Sequence, residues 1–424
     1  MTRRTLADWL EYVERQHPSA IALGLERVAE ARRAIGIDLG CPVVTVGGTN
    51  GKGSTSAMIA SILGCAGYRV GLYTSPHLLR YNERVRLAGR EAEDNALCEA
   101  FEAVERARGG IPLTYFEYGT LAAGWLFARE RLEAVVLEVG LGGRLDAVNV
   151  FDADCAALTS VAIDHVDYLG NTREAIGREK AGIFRPGRPA VVADPAPPAS
   201  VLEAAQGIGA QLLLIGRDFG YAPQGPQWSY WGPGGKRHGL AHPALRGPLQ
   251  LRNAAASLAV LDAQRERLPV SMQDVRRGLA EVALPGRFQV LPGRPQIILD
   301  VAHNPEAAAV LAENLAVSGY ARETIAVFGA LRDKDIGGVV RALAKSVTRW
   351  HLASLGGPRG TTAADLARIA REAGAVGAIC EHENVAAALQ AAQGEAGEND
   401  KVIVFGSFLT VAAAMAHLGL RADG

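Results

Sequence analysis

The chain has 424 residues, too many for one hydrophobic core, so two or three domains are expected. Apolar residues make up 49% and charged residues 21%, which excludes a disordered chain. A formal net charge of −1 leaves no basic surplus to point to nucleic acid as the main partner, though local basic pockets stay open.

The N-terminal segment MTRRTLADWLEYVERQHP is charged and amphipathic and lacks the apolar core of a secretion signal. A strand is predicted at 42–46, then a Gly-rich turn, then a helix from about Ser54 to Ala66. Further strands are predicted at 69–73, 134–139, 155–160 and 189–193, with helices at 94–108, 116–130 and 172–183. Short apolar runs between helices mark buried parallel strands, so this part reads as a doubly wound α/β domain. The Gly- and Pro-rich stretch 216–250, carrying Trp228, Tyr230 and Trp231, is expected to form a small antiparallel β insertion or an irregular lobe. Helices follow at 251–267 and 271–282. Two Pro-Gly-Arg triplets in LPGRFQVLPGRPQ, residues 284–296, read as a hinge. Strands near 297–301, 324–329, 349–354 and 401–405, with helices between them, then suggest a smaller Rossmann-like domain. The expected division is 1–286, a linker at 287–295, and 296–424. Val402 to Leu420 has no charged residue and is as long as a membrane span, but Gly406 and Ser407 interrupt it. A buried strand, a turn and a helix are expected there, and no membrane partner.

Five cysteines, Cys41, Cys65, Cys98, Cys155 and Cys380, are widely spaced and form no CxxC pair. That pattern speaks against a disulfide framework or a structural zinc site and fits a reducing cytoplasm.

The chemistry is concentrated in VTVGGTNGKGST, residues 44–55. Glycines let backbone wrap closely around phosphates, whose charge faces N–H groups at a helix N-terminus. Asn50, Gly51, Lys52, Gly53, Ser54 and Thr55 are the candidate ATP contacts. Lys52 supplies a cation for the β- and γ-phosphates, and Ser54 or Thr55 a hydroxyl for Mg²⁺. The usual phosphate-loop pattern sets Ser or Thr directly after the lysine; here Gly53 intervenes.

This departure is itself informative, because GTNGKGS closely resembles the loop of the Mur-ligase superfamily in its folate-ligase branch. The strings TSPHLLRYNERVR at 74–86, TYFEYGT at 114–120, LEVGLGGRLDAVN at 137–149, IDHVDYLG at 163–170, EKAGIFR at 179–185, PGR at 285–287 and LDVAHNP at 299–305 resemble the same family in the expected order. The family is dihydrofolate synthase/folylpolyglutamate synthase. The resemblance implies ATP as co-substrate, two Mg²⁺ ions, and ligation of L-glutamate to dihydropteroate and to tetrahydrofolates through an acyl phosphate. Such chemistry needs no covalent protein nucleophile, only positioned anions and neutralised charge.

Residue by residue, the resemblance implies metal ligation by Ser54, Ser75, Glu138 and His165. Glu138 also sits at a strand's C-terminal end, where α/β sheets place their ligands. Imidazole is an unusual partner for Mg²⁺, which prefers oxygen, so only the resemblance carries His165. Lys180, in EKAGIF, is similar to a lysine that carries a carbamate; the plainer reading is a helix-surface lysine. With Lys52, Glu138 and His165 it completes the expected catalytic set. Asn253, Arg287, Asp300 and His303 are expected on the nucleotide, with Asn304 beside them and Lys334 and Asp335 as further contributors. The nucleotide is expected between the two domains. For the pterin and carboxylate groups the candidates are Arg80, Arg84, Phe116, Arg144 and Asp146. Phe116 can stack on a flat ring and Asp146 can accept from its N–H edge. Helix core and surface arginines are the competing readings, and His77 is taken as structural. GLGGRLDA is similar to the form in bifunctional bacterial enzymes, which favours dihydropteroate as one substrate. A monomer is expected.

Two other ligase readings and one non-enzymatic reading compete. A cell-wall Mur ligase needs an extra N-terminal domain, and the stretch before the loop is too short for it. A folylpolyglutamate synthase without the first activity differs only in the pterin pocket. A phosphate-loop switch module does not need Glu138, His165 and Lys180 in this arrangement.

Overall fold

A computed structural model describes residues 4–19 and 21–421. The chain divides into two compact units. The first takes the residues up to His77, then Tyr81–Ala244 and Leu251–Val282; the second takes Leu78–Arg80, Leu245–Gln250 and the residues from Ala283 onward.

In the first unit the apolar runs become strands: β1 (Val43–Gly47), β2 (Val70–Tyr73), β3 (Val85–Leu87), β4 (Arg90–Glu91), β5 (Ala134–Glu138), β6 (Cys155–Leu158), β7 (Pro189–Val192) and β8 (Gln211–Leu214). They form one sheet in the order β4-β3-β2-β5-β1-β6-β7-β8. From β2 to β8 the neighbours pair in parallel, while β3 and β4 are antiparallel additions at one edge. Every residue of β1 and β5 is buried, as strands covered on both faces must be.

One face is covered by α1 (Leu6–Glu14), α2 (Glu26–Ile35), α4 (Asp94–Arg108) and α5 (Tyr115–Arg129), whose apolar residues join the sheet in one core around Tyr73, Phe101, Tyr118 and Phe127. Two of these helices begin with reciprocal caps, Thr5 with Asp8 and Thr114 with Glu117, which satisfy otherwise orphaned N–H groups. The helix α3 (Lys52–Cys65) is buried at Gly53–Ile59, Ile62 and Leu63, so it has no polar face. Its covering partner is α10 (Met272–Glu281), where a Cβ on Gly278 would stand 2.5 Å from Ile62 Cα. The remaining helices of the unit are α6 (Val166–Leu169), α7 (Arg173–Ala181), α8 (Ala199–Gly207) and α9 (Pro248–Ala263).

The stretch read as a β insertion is a three-stranded antiparallel sheet of β9 (Gly220–Gln224), β10 (Gln227–Gly232) and β11 (Gly235–Ala241) in the order β11-β10-β9. Asp262 of α9 anchors it. This carboxylate, 4% exposed, accepts from Tyr230 Oη at 2.7 Å, Gly234 N at 3.0 Å and Arg237 Nη2 at 2.6 Å.

The second unit is built on β12 (Gln289–Leu291), β13 (Gln296–Leu299), β14 (Thr324–Phe328), β15 (Arg349–Ala353), β16 (Ala378–His382) and β17 (Lys401–Phe405), in the order β12-β13-β17-β14-β15-β16. All neighbours are parallel except β12 with β13. Its helices are α11 (Pro305–Val317), α12 (Ile336–Leu343), α13 (Ala363–Glu372), α14 (Val385–Glu395) and α15 (Phe408–His417). The uncharged run at 402–420 is β17 followed by α15, and no described helix is long and apolar enough to cross a membrane.

Five strands, β3, β4, β8, β12 and β16, escape the sequence reading for one reason: they lie at or beside sheet edges and bury too little to show an apolar run. In β8 no residue is fully buried, β16 is exposed at Ala378 and Glu381, and β12, inside the stretch read as a linker, is only half-buried. The helix α8 likewise carries few apolar residues beyond Val201, Leu202 and its alanines.

Removing one partner of a buried, hydrogen-bonded charge leaves the other uncompensated. Asp262→Ala should therefore destabilise the first unit by about 3–5 kcal/mol, read as an earlier midpoint in denaturant followed by tryptophan fluorescence, since Trp228 is fully buried in the tethered sheet.

Candidate active site

The Gly-rich loop leaves β1 and enters α3 at Gly51, whose φ of +89° is a left-handed conformation that favours glycine. A set of hydrogen bonds pins the loop to the segment after β6. Thr49 N donates to Ser160 O at 2.8 Å and Asn50 N to Ser160 Oγ at 3.1 Å. Thr159 Oγ1 donates to Asn50 O at 2.7 Å, and Ala162 N to Thr49 Oγ1 at 3.0 Å. Gly48, at φ +142°, lies so close to the Thr159 hydroxyl that a Cβ would overlap it. A Cβ on Gly51 would stand 2.6 Å from Asn253 Oδ1, so the Asn253 carboxamide lies directly against the loop. Thr159 and Ser160 were not singled out in the sequence. Their signal is position: hydroxyls in LTS, at the C-terminal end of a central parallel strand.

Two lysines converge on one carbonyl. Lys52 Nζ donates to Gly48 O at 3.1 Å and Thr49 O at 3.2 Å, and Lys180 Nζ donates to the same Gly48 O at 3.0 Å. Lys180 is no surface lysine: it is 4% exposed, on the last turn of α7. Burial, and then the charge of Lys52, push its amine down to about 7. The unfolded chain keeps a proton that the folded chain releases between about pH 7 and the ordinary lysine value. Stability from this group accordingly rises with pH across that window and is least below pH 7.

Oxygen donors gather on the same end of the sheet. Glu138 closes β5 at 4% exposure, and its Oε2 accepts from Ser75 N at 3.1 Å, which joins two of the expected metal ligands. Ser54 and Thr55 are buried in the first turn of α3, and Thr55 Oγ1 has no hydrogen-bond partner among the described residues. His165 precedes α6 in a left-handed conformation, φ 52° and ψ 44°, rare for a non-glycine residue and held there by its surroundings. Its Nε2 is 3.9 Å from Asp164 Oδ2. Carboxylate and hydroxyl oxygens suit a hard divalent cation, and one imidazole beside them also suits manganese. The residues present thus fit such an ion.

Of the expected pterin residues, Arg144 and Asp146 lie on the loop after β5, and Phe116, in the first turn of α5, packs against that loop. The ring of Phe116, half-buried, rests against Gly140, where a Cβ would come within 2.6 Å, and lies 5.9 Å from the Tyr73 ring. Asp146 is buried and commits both oxygens to the loop itself, accepting from Leu141 N at 2.7 Å and Val148 N at 3.1 Å. Burial pushes its carboxyl up to about 7, against backbone donors and Lys52 that favour the anion. Arg144 is exposed and paired with Glu179 at 2.9 Å. Arg84 is buried between Tyr81 and Tyr115, 5.5 and 5.4 Å from their rings, and donates from Nε to His77 Nδ1 at 2.8 Å. Burial, with the Arg84 charge, holds His77 down to about 4, so it is neutral and acts as an acceptor, the structural role expected of it. Arg80 is exposed and clusters with the second unit.

In the second unit, Asp300 follows β13 and accepts from Phe288 N and Ala302 N, both at 2.8 Å. Burial raises its carboxyl while Arg287 and His303 lower it. Arg287 lies 5.1 Å over the Phe408 ring, and His303 lies 6.3 Å from that ring, so the structure gathers these two around Phe408, close enough to Asp300 to act on its charge. Asn304 caps α11 through Ala307 N, and Asp335 caps α12 through Gly338 N, which gives both a local structural task.

Residues 46–261 match the Mur ligase middle domain, and 286–408 the Mur ligase glutamate ligase domain. The dihydrofolate synthase/folylpolyglutamate synthase of Escherichia coli K12 is 46% identical over 99% of this chain and 97% of its own length. This chain belongs to the dihydrofolate synthase/folylpolyglutamate synthase family of Mur ligases. Among solved structures, E. coli FolC in complex with DHPP and ADP superposes with a TM-score of 0.94 at 45% identity, covering 98% of both chains. The Yersinia pestis bifunctional folylpolyglutamate synthase/dihydrofolate synthase complexed with AMPPNP and Mn ion gives 0.91 at 46% identity, again over 98% of each chain.

The contact between Gly51 and Asn253 gives a sharp test. Gly51→Ala forces a side chain into a left-handed position and against the carboxamide. ADP affinity, measured calorimetrically, should fall at least about tenfold, or about 1.4 kcal/mol, with the far-ultraviolet circular dichroism unchanged.

Proposed function

We infer that this chain joins L-glutamate to dihydropteroate, forming dihydrofolate, and adds further glutamates to tetrahydrofolates, with ATP as co-substrate and a divalent cation as cofactor. The observation that supports this best is the convergence of Lys52 and Lys180 on Gly48 O, beside Glu138, in a chain of this family. The acceptor's carboxylate attacks the γ-phosphorus of ATP, giving an acyl phosphate and ADP. The glutamate amine then attacks the acyl carbon, the C–O bond to phosphate breaks, and an amide, phosphate and a proton result.

The residues account for these steps by placement. The N–H groups at the start of α3 and the Lys52 ammonium hold the phosphate oxygens, whose charge they neutralise in a site fixed before reaction. Asn253 steadies the loop at Gly51. We assign Ser54, Ser75, Glu138 and His165 to the cation, which when bound would neutralise charge on the transferring phosphoryl group. Arg84, stiffened by Tyr81, Tyr115 and His77, and Arg80 are assigned to substrate carboxylates. Phe116 and Arg144 border the pterin. Asp146 shapes their loop, and its remaining acceptor capacity is assigned to the pterin N–H edge. Arg287, Asp300 and His303 are assigned to the nucleotide on the resemblance of their strings. We also take the chain to be a two-domain monomer with its boundary near 285–295, working in the cytoplasm, where five free cysteines are stable.

A lowered amine at Lys180 supports one modification. A neutral lysine adds CO₂ through its nitrogen, loses a proton, and becomes a carbamate, an oxygen donor in place of a cation. This would relieve the crowding of two ammonium groups on Gly48 O. In ¹³C-bicarbonate, a carbamate resonance should appear near pH 8 and be absent from Lys180→Ala; an unmodified wild-type lysine ends the idea.

The function is tested by incubating the protein with Mg-ATP, L-glutamate and either dihydropteroate or tetrahydrofolate and weighing the products. Glutamylated product from both acceptors is expected. Product from tetrahydrofolate alone would remove dihydropteroate and the pterin role of Arg144 and Asp146. Inactivity with both in a folded, ATP-binding sample would remove the folate assignment.

A further inference from the structure

The second unit carries a cluster with no part in the chemistry above. His351 of β15 and Cys380 of β16 are register partners on adjacent parallel strands, so their side chains share a face. Their cover is α14, whose Val385, Ala388, Leu389 and Ala392 pack in the core beneath that face and whose final residue is Glu395. A ring nitrogen of His351, Cys380 Sγ and a Glu395 oxygen all lie within 4.8 Å of one another.

The His351 ring is 1% exposed, and its two nitrogens are unequal. Nδ1 stands 3.0 Å from His382 Nε2, a hydrogen bond between rings that stack at 5.1 Å. Nε2 is buried, faces Glu395 Oε2 at 3.4 Å, and makes no hydrogen bond. When His351 Nδ1–H donates to His382, Nε2 becomes a bare lone pair directed at a carboxylate oxygen. In that tautomer a cation between the two acceptors would satisfy both, whereas in the other Nε2–H faces the carboxylate itself.

We propose that His351 Nε2, Cys380 Sγ and Glu395 form a binding site for a zinc-like divalent cation that clamps the edge strand β16 and the end of α14 to β15. Nitrogen, thiolate and carboxylate together select zinc or cobalt over magnesium. With the ion bound, Nδ1–H would donate to His382 Nε2 and so hold the tautomer that points a lone pair at the ion, which makes His382 a positioning residue. Tetrahedral bonds of about 2.0–2.3 Å set ligand atoms roughly 3.3–3.8 Å apart. Small rotations of Glu395, 41% exposed, and of half-buried Cys380 close the set. Arg349 Nη1 competes for Glu395 Oε2 at 3.3 Å but has Glu323 Oε2 at 2.8 Å as a second partner, so releasing Glu395 does not strand it. The fourth position is left to water. Cysteine spacing cannot reveal such a site, because its ligands come from three separate elements.

The test titrates Co²⁺ into the full chain with ADP and excess Mg²⁺ present, so that the oxygen-rich site is already occupied. One equivalent should bind with a near-ultraviolet thiolate-to-cobalt band that Zn²⁺ abolishes. Cys380→Ser should lose the band, Glu395→Gln should weaken Co²⁺ binding at least about tenfold, and Cys41→Ser should change neither. No band in the wild-type chain, or a band that survives Cys380→Ser, overturns the proposal. Should Cys380→Ser fail to fold, unchanged Co²⁺ affinity in Glu395→Gln overturns it equally.

Discussion

The constraint on which the first unit depends is the placement of positive charge around one backbone carbonyl. Gly48 O receives both Lys52 and Lys180, the second of them buried. Desolvating two like charges side by side is unfavourable, and the depressed amine of Lys180 is the sign of that cost. The arrangement becomes reasonable only where anions arrive. Polyphosphate is the obvious one, and a carbamate on Lys180 itself would be another.

Around that point the scaffold spends many bonds on holding the loop still. Thr159, Ser160 and Ala162 bind it from β6, and Asn253 closes on Gly51 from α9. The two central strands β1 and β5, buried throughout, set the loop and Glu138 at the same end of the sheet. Position at the strand ends, more than any single side chain, makes the site.

Much of this was legible in the sequence, and the limits are physical. Buried central strands show as continuous apolar runs, so β1, β2, β5, β6 and β7 were found within a residue or two. The edge strands β8, β12 and β16 bury too little to leave that trace. Among site residues, the loop and Glu138 announce themselves through glycine spacing and strand ends. Lys180 does not: EKAGIF looks like an exposed helix turn, and only the packing of α7 against the loop shows its burial. Asp146 shows the opposite mismatch. Its sequence context suggested a substrate contact, while the structure gives its oxygens to Leu141 and Val148 first. The cluster of His351, Cys380 and Glu395 was invisible, since strand register and a helix end assemble it.

The helix α3 is buried from Gly53 to Ile59 and opens to solvent only towards its C-terminal end at Gly64; α10 covers it there, with Gly278 pressed against Ile62. A helix enclosed in this way cannot shift alone, so the phosphate loop at its N-terminus inherits the rigidity of the core. Its amide hydrogens should exchange only when the whole unit opens. Nucleotide recognition and the cooperative stability of this unit are then one property, and the evolutionary freedom of α10, far from any phosphate, is bounded by what the loop can tolerate.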